Sequence, residues 1–69
     1  MEIEFTEHAK DRIKKRKIKK EEIIEAINNP DKIKKEEGKY YVQKDIRRGK
    51  IEIVYSKDKY IKIITIYWI

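Results

Sequence analysis

The hydrophobic pattern of this chain changes period once, at Asn28-Asn29-Pro30-Asp31. Before that break, apolar residues recur at helical spacing: Ala9 and Ile13, then Ile23, Ile24 and Ile27. After it they alternate, with Tyr40, Val42, Lys44 and Ile46 set against Tyr41, Gln43, Asp45 and Arg47. Proline has no N–H and cannot continue a helix, so the two regimes are separate elements rather than one drifting pattern. A chain whose helices precede its strands is expected to fold as α+β, with the helices packed on one sheet face.

The elements follow from local chemistry. Glu2 to Phe5 reads as a short strand or extended arm. Thr6 is a good N-cap, and residues 7–16 read as a helix with its basic residues gathered toward the last turn. Lys17-Ile18-Lys19 reads as a short connection. Residues 20–28 read as a second helix, with Glu21 and Glu22 in its first turn. Asp31 to Glu37 reads as a polar strand, and Gly38 as a turn. Tyr40 to Ile46 is the next strand, Arg48-Gly49 a hairpin turn, and Lys50 to Tyr55 a strand with Ile51, Ile53 and Tyr55 on one face. After a turn at Ser56-Lys57-Asp58, Lys59 to Trp68 is apolar on both faces, which predicts a central or doubly covered strand. The expected fold is α+β: two N-terminal helices packed on one face of a three- to four-stranded antiparallel sheet, in a single domain over 1–69. The other sheet face is left open, with Tyr41, Gln43, Asp45, Arg47, Glu52, Val54 and one side of the last strand as its expected residues.

Size and composition bound the function classes. A chain of 69 residues buries only about 60% of its unfolded surface, which leaves little stability in reserve. With no cysteine, disulfides and thiolate metal sites are excluded; this favours a reducing, cytoplasmic location over a secreted scaffold. Met1-Glu2-Ile3-Glu4 opens with two acids, unlike a secretory leader. The apolar run Ile61 to Ile69 contains Lys62 and Thr65 and is too short to span a bilayer as a helix. Charged residues make up 46% of the chain, a Lys/Glu enrichment that points to a hot habitat.

Charge is unevenly spread. Residues 1–20 carry eight Lys/Arg against four acids, residues 21–38 three against six, and residues 39–69 eight against three. A net charge of +6 favours a polyanion, such as nucleic acid, or an acidic protein. A solvated Lys-rich surface that only maintains solubility accounts for the same charge.

One constellation stands out. His8, Arg12 and Arg16 are spaced i, i+4 and i+8, and so form one stripe on a helix, with Lys15 and Lys19 alongside. That stripe lies about 100° from the Ala9/Ile13 stripe, so it borders the core. Arginine binds phosphate oxygens bidentately, and imidazole can transfer protons in both directions near neutral pH. RNA cleavage by 2′-hydroxyl attack needs a base, an acid and cations at the developing phosphorane charge. Structural roles account for the same residues: Arg12 can pair with Glu7 or Asp11, and His8 can pack beside the cap. Arg47 and Arg48 form a basic cluster at the hairpin that can clamp a phosphate or stay solvated, and Tyr41 on the open face can stack on a base or pack within the sheet. With one histidine and no cysteine, neither a His-rich metal site nor a zinc site is expected, and no cofactor is implied.

The stretch Phe5-Thr6-Glu7-His8-Ala9-Lys10-Asp11-Arg12-Ile13-Lys14-Lys15-Arg16-Lys17-Ile18 resembles the signature of a small prokaryotic family, catalogued as domain of unknown function 4258, whose members read roughly F-T-x-H-A-x-x-R-[MI]-x-x-R-x-I. A second helix ending in an Asn-Pro like Asn29-Pro30, an acidic strand and a Val/Ile/Tyr-rich meander extend the resemblance over nearly the whole chain. In layout the family resembles the RelE/ParE-like toxins, which have two N-terminal helices on an antiparallel sheet. Those toxins include ribosome-dependent mRNA endonucleases, gyrase inhibitors and inactive relatives. The resemblance implies a toxin-like fold acting on RNA or the ribosome and neutralised by an acidic antitoxin. His8, Arg12 and Arg16 match the motif. Toxin activity usually depends on Lys, Arg and Tyr of the sheet and C-terminus, for which Arg47, Tyr55 and Tyr67 are the implied counterparts. The expectation is a metal-independent endoribonuclease of a toxin-antitoxin pair. The alternatives are a non-catalytic RNA- or ribosome-binding module, or a protein-interaction domain that pairs with an antitoxin or with itself. No membrane partner is expected.

Overall fold

The computed structural model describes residues 2–69, and Met1 of the leader reading lies outside them. The elements run β1 (Ile3–Phe5), α1 (Glu7–Arg16), α2 (Lys20–Asn28), β2 (Lys32–Glu36), β3 (Lys39–Asp45), β4 (Lys50–Lys57) and β5 (Ile61–Trp68).

Local capping accounts for the helix boundaries. The Thr6 hydroxyl accepts the Ala9 N–H at 3.0 Å, and Glu7 sits in the positive first turn. At the other end Lys17 turns left-handed at φ 55°, and the Ile18 N–H reaches back to the Ile13 carbonyl at 3.1 Å. That return carries Ile18 into the core at 3% exposure. In α2 the Glu22 carboxylate accepts the Lys19 N–H at 2.9 Å, half of a capping box. The helix ends before Pro30 as expected.

The sheet has five strands in the order β1-β5-β4-β3-β2. The expected three- to four-stranded antiparallel sheet is therefore corrected to a five-stranded mixed one. β2 to β5 form the antiparallel meander, while β1 adds to the outside of β5 in parallel, with Ile3 opposite Ile61 and Phe5 opposite Ile63. Parallel neighbours need a long crossover, and here both helices and three strands intervene before the chain returns. Nothing local in Glu2–Phe5 announces so distant a partner.

Three turns also settle differently from expectation, one of them because β4 continues through Ser56 and Lys57, which pair with Lys62 and Ile61 where a turn is expected. Glu37 and Gly38 both take positive φ, 51° and 78°, and form a two-residue hairpin loop whose twist suits the strands. The β3–β4 loop spans Ile46 to Gly49, longer than the expected Arg48-Gly49 turn, and the Ile46 N–H donates to the Gly49 carbonyl at 2.9 Å.

Ala9, Ile18, Ile23 and Ala26 from the helical half meet Val42, Ile51, Ile53, Tyr55, Ile61, Ile63 and Ile66 from the sheet in one core. These strand residues share a face by register: Val42 lies opposite Ile53, and Ile53 opposite Ile66. Both helices therefore cover that face, α1 over β5 and α2 over β3.

β1 stops at Phe5, so β5 beyond Ile63 has no strand on its outer side. A bulge at Ile64 interrupts the β4–β5 pairing there. The start and end of α1 serve the exposed edge instead. The Thr6 N–H and hydroxyl donate to the Ile63 and Ile64 carbonyls, both at 3.2 Å, and Arg16 Nη1 donates to the Ile66 carbonyl at 2.7 Å. A helix thus shields an edge that would otherwise offer unpaired carbonyls to another chain.

Candidate nucleic-acid interface

The three motif residues on α1 take different environments. His8 is exposed, and Arg12 is half-buried with the Asp11 carboxylate at 4.0 Å, the outer limit of an ion pair. No hydrogen bond engages either side chain among the described residues. Arg16 is half-buried and committed to the Ile66 carbonyl, and its own carbonyl accepts the Trp68 indole N–H at 3.1 Å. Charge gathers at the C-terminal end of α1, where Lys14, Lys15 and Arg16 complement the helix dipole, and continues through Lys17, Lys19 and Lys20. Lys15 is tied to Asp11 at 3.3 Å, an exposed i, i+4 pair of little energetic weight; Lys19 is exposed.

The hairpin arginines separate. Arg48 folds back onto the helices. It donates to both Glu22 oxygens at 2.6 and 3.1 Å and to the Lys17 carbonyl at 2.7 Å, and its guanidinium lies 5.3 Å from the Trp68 ring centre. That guanidinium holds the Glu22 carboxyl below the usual carboxylate range, with the Lys19 N–H assisting, and Glu22 raises the Arg48 pKa in return. Arg47 was expected on the open face; it sits in the loop at φ 78°, its N–H bonded to Asp45, beside a depression also lined by Glu21, Glu25 and Asp45.

The implied toxin counterparts do not share a face. Tyr55 is buried on the helix-covered face, stacked on Tyr40 at 5.0 Å, and burial pushes its hydroxyl pKa up. Tyr67 lies on the opposite, open face, across from Glu52. Tyr41 is also on that face, half-buried beside Val54.

The open face holds a group that periodicity indicated only in part. Alternation puts Gln43 and Glu52 there, and the register makes them direct neighbours, extended by Lys32 on one side and Tyr67 on the other. Lys32, Lys34, Glu36, Tyr41, Gln43 and Glu52 line a cleft of about 470 Å³. Its charge is mixed, whereas α1 is predominantly basic. Lys32 and Lys34 escaped notice because their strand reads only as polar; strand pairing, not pattern, sets them beside Gln43 and Tyr41.

No helix among the described residues is long and apolar enough to cross a membrane. No curated protein and no solved structure matches the chain. A family model described as Domain of unknown function (DUF4258) matches residues 5–68, from the strand that precedes the Thr6 cap to Trp68. The chain belongs to that family.

Proposed function

We propose that this domain acts on RNA as a RelE-like, toxin-like module, docking the phosphate backbone on α1 and cleaving it without a metal. The observation that carries the reading is the division of labour among its cations. Arg16 and Arg48 are consumed by carbonyls and Glu22, whereas His8 and Arg12 share a stripe and stay open to a ligand. In the cleavage step the 2′-oxygen attacks phosphorus, the bond to the 5′-oxygen breaks, and His8 carries the proton between them. Arg12 and the lysines at the end of α1 meet the phosphate charge. Arg16 then acts by holding α1 against β5.

Incubation of the protein with single-stranded RNA, with and without ribosomes, tests this. Cleavage is expected that His8→Ala abolishes while salt-dependent binding persists. Binding with no cleavage in either setting would leave a non-catalytic RNA- or ribosome-binding module. A third reading, a surface for an acidic antitoxin or a second copy, draws support from β2: all five of its residues are exposed at the sheet edge, with Ile33 at 52%. A dimer that persists in high salt, with no effect of Arg12→Glu on any RNA interaction, would favour it.

A further inference from the structure

The open sheet face carries a polar ladder that neither α1 nor the core uses. Glu52 stands between Gln43 and Tyr67 on adjoining strands. Gln43 Nε2 donates to one carboxylate oxygen at 3.0 Å, and the Tyr67 hydroxyl donates to the other. Both oxygens are thereby held in one orientation. A carboxylate has about four lone-pair sites, so each oxygen keeps acceptor capacity. Beside the carboxylate, Val54 is 6% exposed and lies opposite Tyr41, which makes that part of the face apolar. Lys32 and Lys34 stand across the cleft, Lys34 paired with Glu36 at 3.0 Å.

A ligand matching this cleft needs adjacent N–H donors for the carboxylate, a flat face for Tyr41 and negative charge for the lysines. A guanidinium or ammonium ligand meets the first need but brings no anionic group for Lys32. Among the nucleobases, guanine alone presents two adjacent donors, N1–H and the 2-amino group, on its pairing edge. Adenine and cytosine set one donor beside an acceptor, and uracil sets one donor between two acceptors. We infer that the cleft is a guanine-nucleotide subsite: Glu52 accepts from both guanine donors, Tyr41 stacks on the ring, and Lys32 and Lys34 meet the phosphate. Where the nucleotide belongs to an RNA strand, the inference deepens the proposed function and rests on it; a free guanine nucleotide would engage the same groups.

The test titrates the protein with oligouridine carrying one guanosine, with the same strand carrying inosine (which lacks the 2-amino group), and with guanosine monophosphate alone. Guanosine is expected to bind about tenfold or more tightly than inosine, the worth of the one hydrogen bond to a charged acceptor that the 2-amino group adds. Glu52→Gln should erase the difference, because an amide has one acceptor oxygen where the carboxylate has two. The ladder also braces the sheet, so a melt accompanies that variant; the inosine comparison uses unaltered protein and stands without it. If guanosine and inosine strands bind equally and salt-dependently, the subsite is overturned and RNA binding survives. If only the mononucleotide binds, in a Glu52-dependent way, the subsite holds and the RNA reading falls. If nothing binds, both fall.

Discussion

Trp68 donates its indole N–H to the carbonyl of Arg16 at 3.1 Å, joining the last residue of α1 to the last residue of β5. The Arg16 guanidinium returns the connection two residues earlier on the strand, at the Ile66 carbonyl. The motif's second arginine is thus a brace between helix and sheet edge. A charged donor on a part-buried carbonyl contributes about 1.5–3 kcal/mol. Arg16→Ala should lower unfolding free energy by about that amount in urea titrations, whereas Arg12→Ala, which breaks no hydrogen bond, should change it by less than about 0.5 kcal/mol. Equal losses would show that the two arginines are structurally equivalent.

Thr6 does two jobs with one hydroxyl, accepting from Ala9 and donating to Ile64. Thr6→Ala should cost about 0.5–2 kcal/mol for the cap and more for the orphaned carbonyl at the bulge. Thr6→Ser keeps both bonds and should recover most of the loss. A serine variant as unstable as the alanine one would place the effect in the methyl group.

The Glu22–Arg48 pair predicts a pH dependence. A carboxyl depressed in the folded state binds fewer protons there than in the unfolded chain. Its contribution is therefore complete above the ordinary value of 4.5 and disappears as pH falls through the lower, folded value. Denaturation midpoints of the native protein and Glu22→Gln should differ at neutral pH and converge in acid below that range. A constant difference across the titration would show that the pair adds no pH-dependent stability.

The two glycines separate backbone strain from collision. Gly38 has φ 78° with open space around it, so Gly38→Ala should cost about 1–2 kcal/mol from the left-handed conformation alone. At Gly49, φ is 148° and a Cβ would lie 2.8 Å from the Trp68 ring, which is itself held by Arg16 and faced by Arg48. Gly49→Ala should cost more than Gly38→Ala and perturb tryptophan fluorescence. A silent Gly49→Ala would mean that the ring moves freely.

Much of the fold is legible along the chain. Ala9 and Ile13 spaced four apart, the Thr6 cap and the Asn29-Pro30 stop locate the helices, because capping and helical periodicity act within a few residues. Strand alternation places Val42, Ile51 and Ile53 on the buried face and Gln43 and Glu52 on the open one for the same reason. The parallel union of β1 with β5, the service of Ile64 and Ile66 by Thr6 and Arg16, and the capture of Arg48 by Glu22 join residues 26 to 58 positions apart. A guanidinium is chemically the same whether it faces solvent or a carbonyl; only the chain's return path decides which partner it meets. Local sequence therefore determined the elements and their faces. Tertiary structure decided which cations brace the fold and which remain open to a ligand.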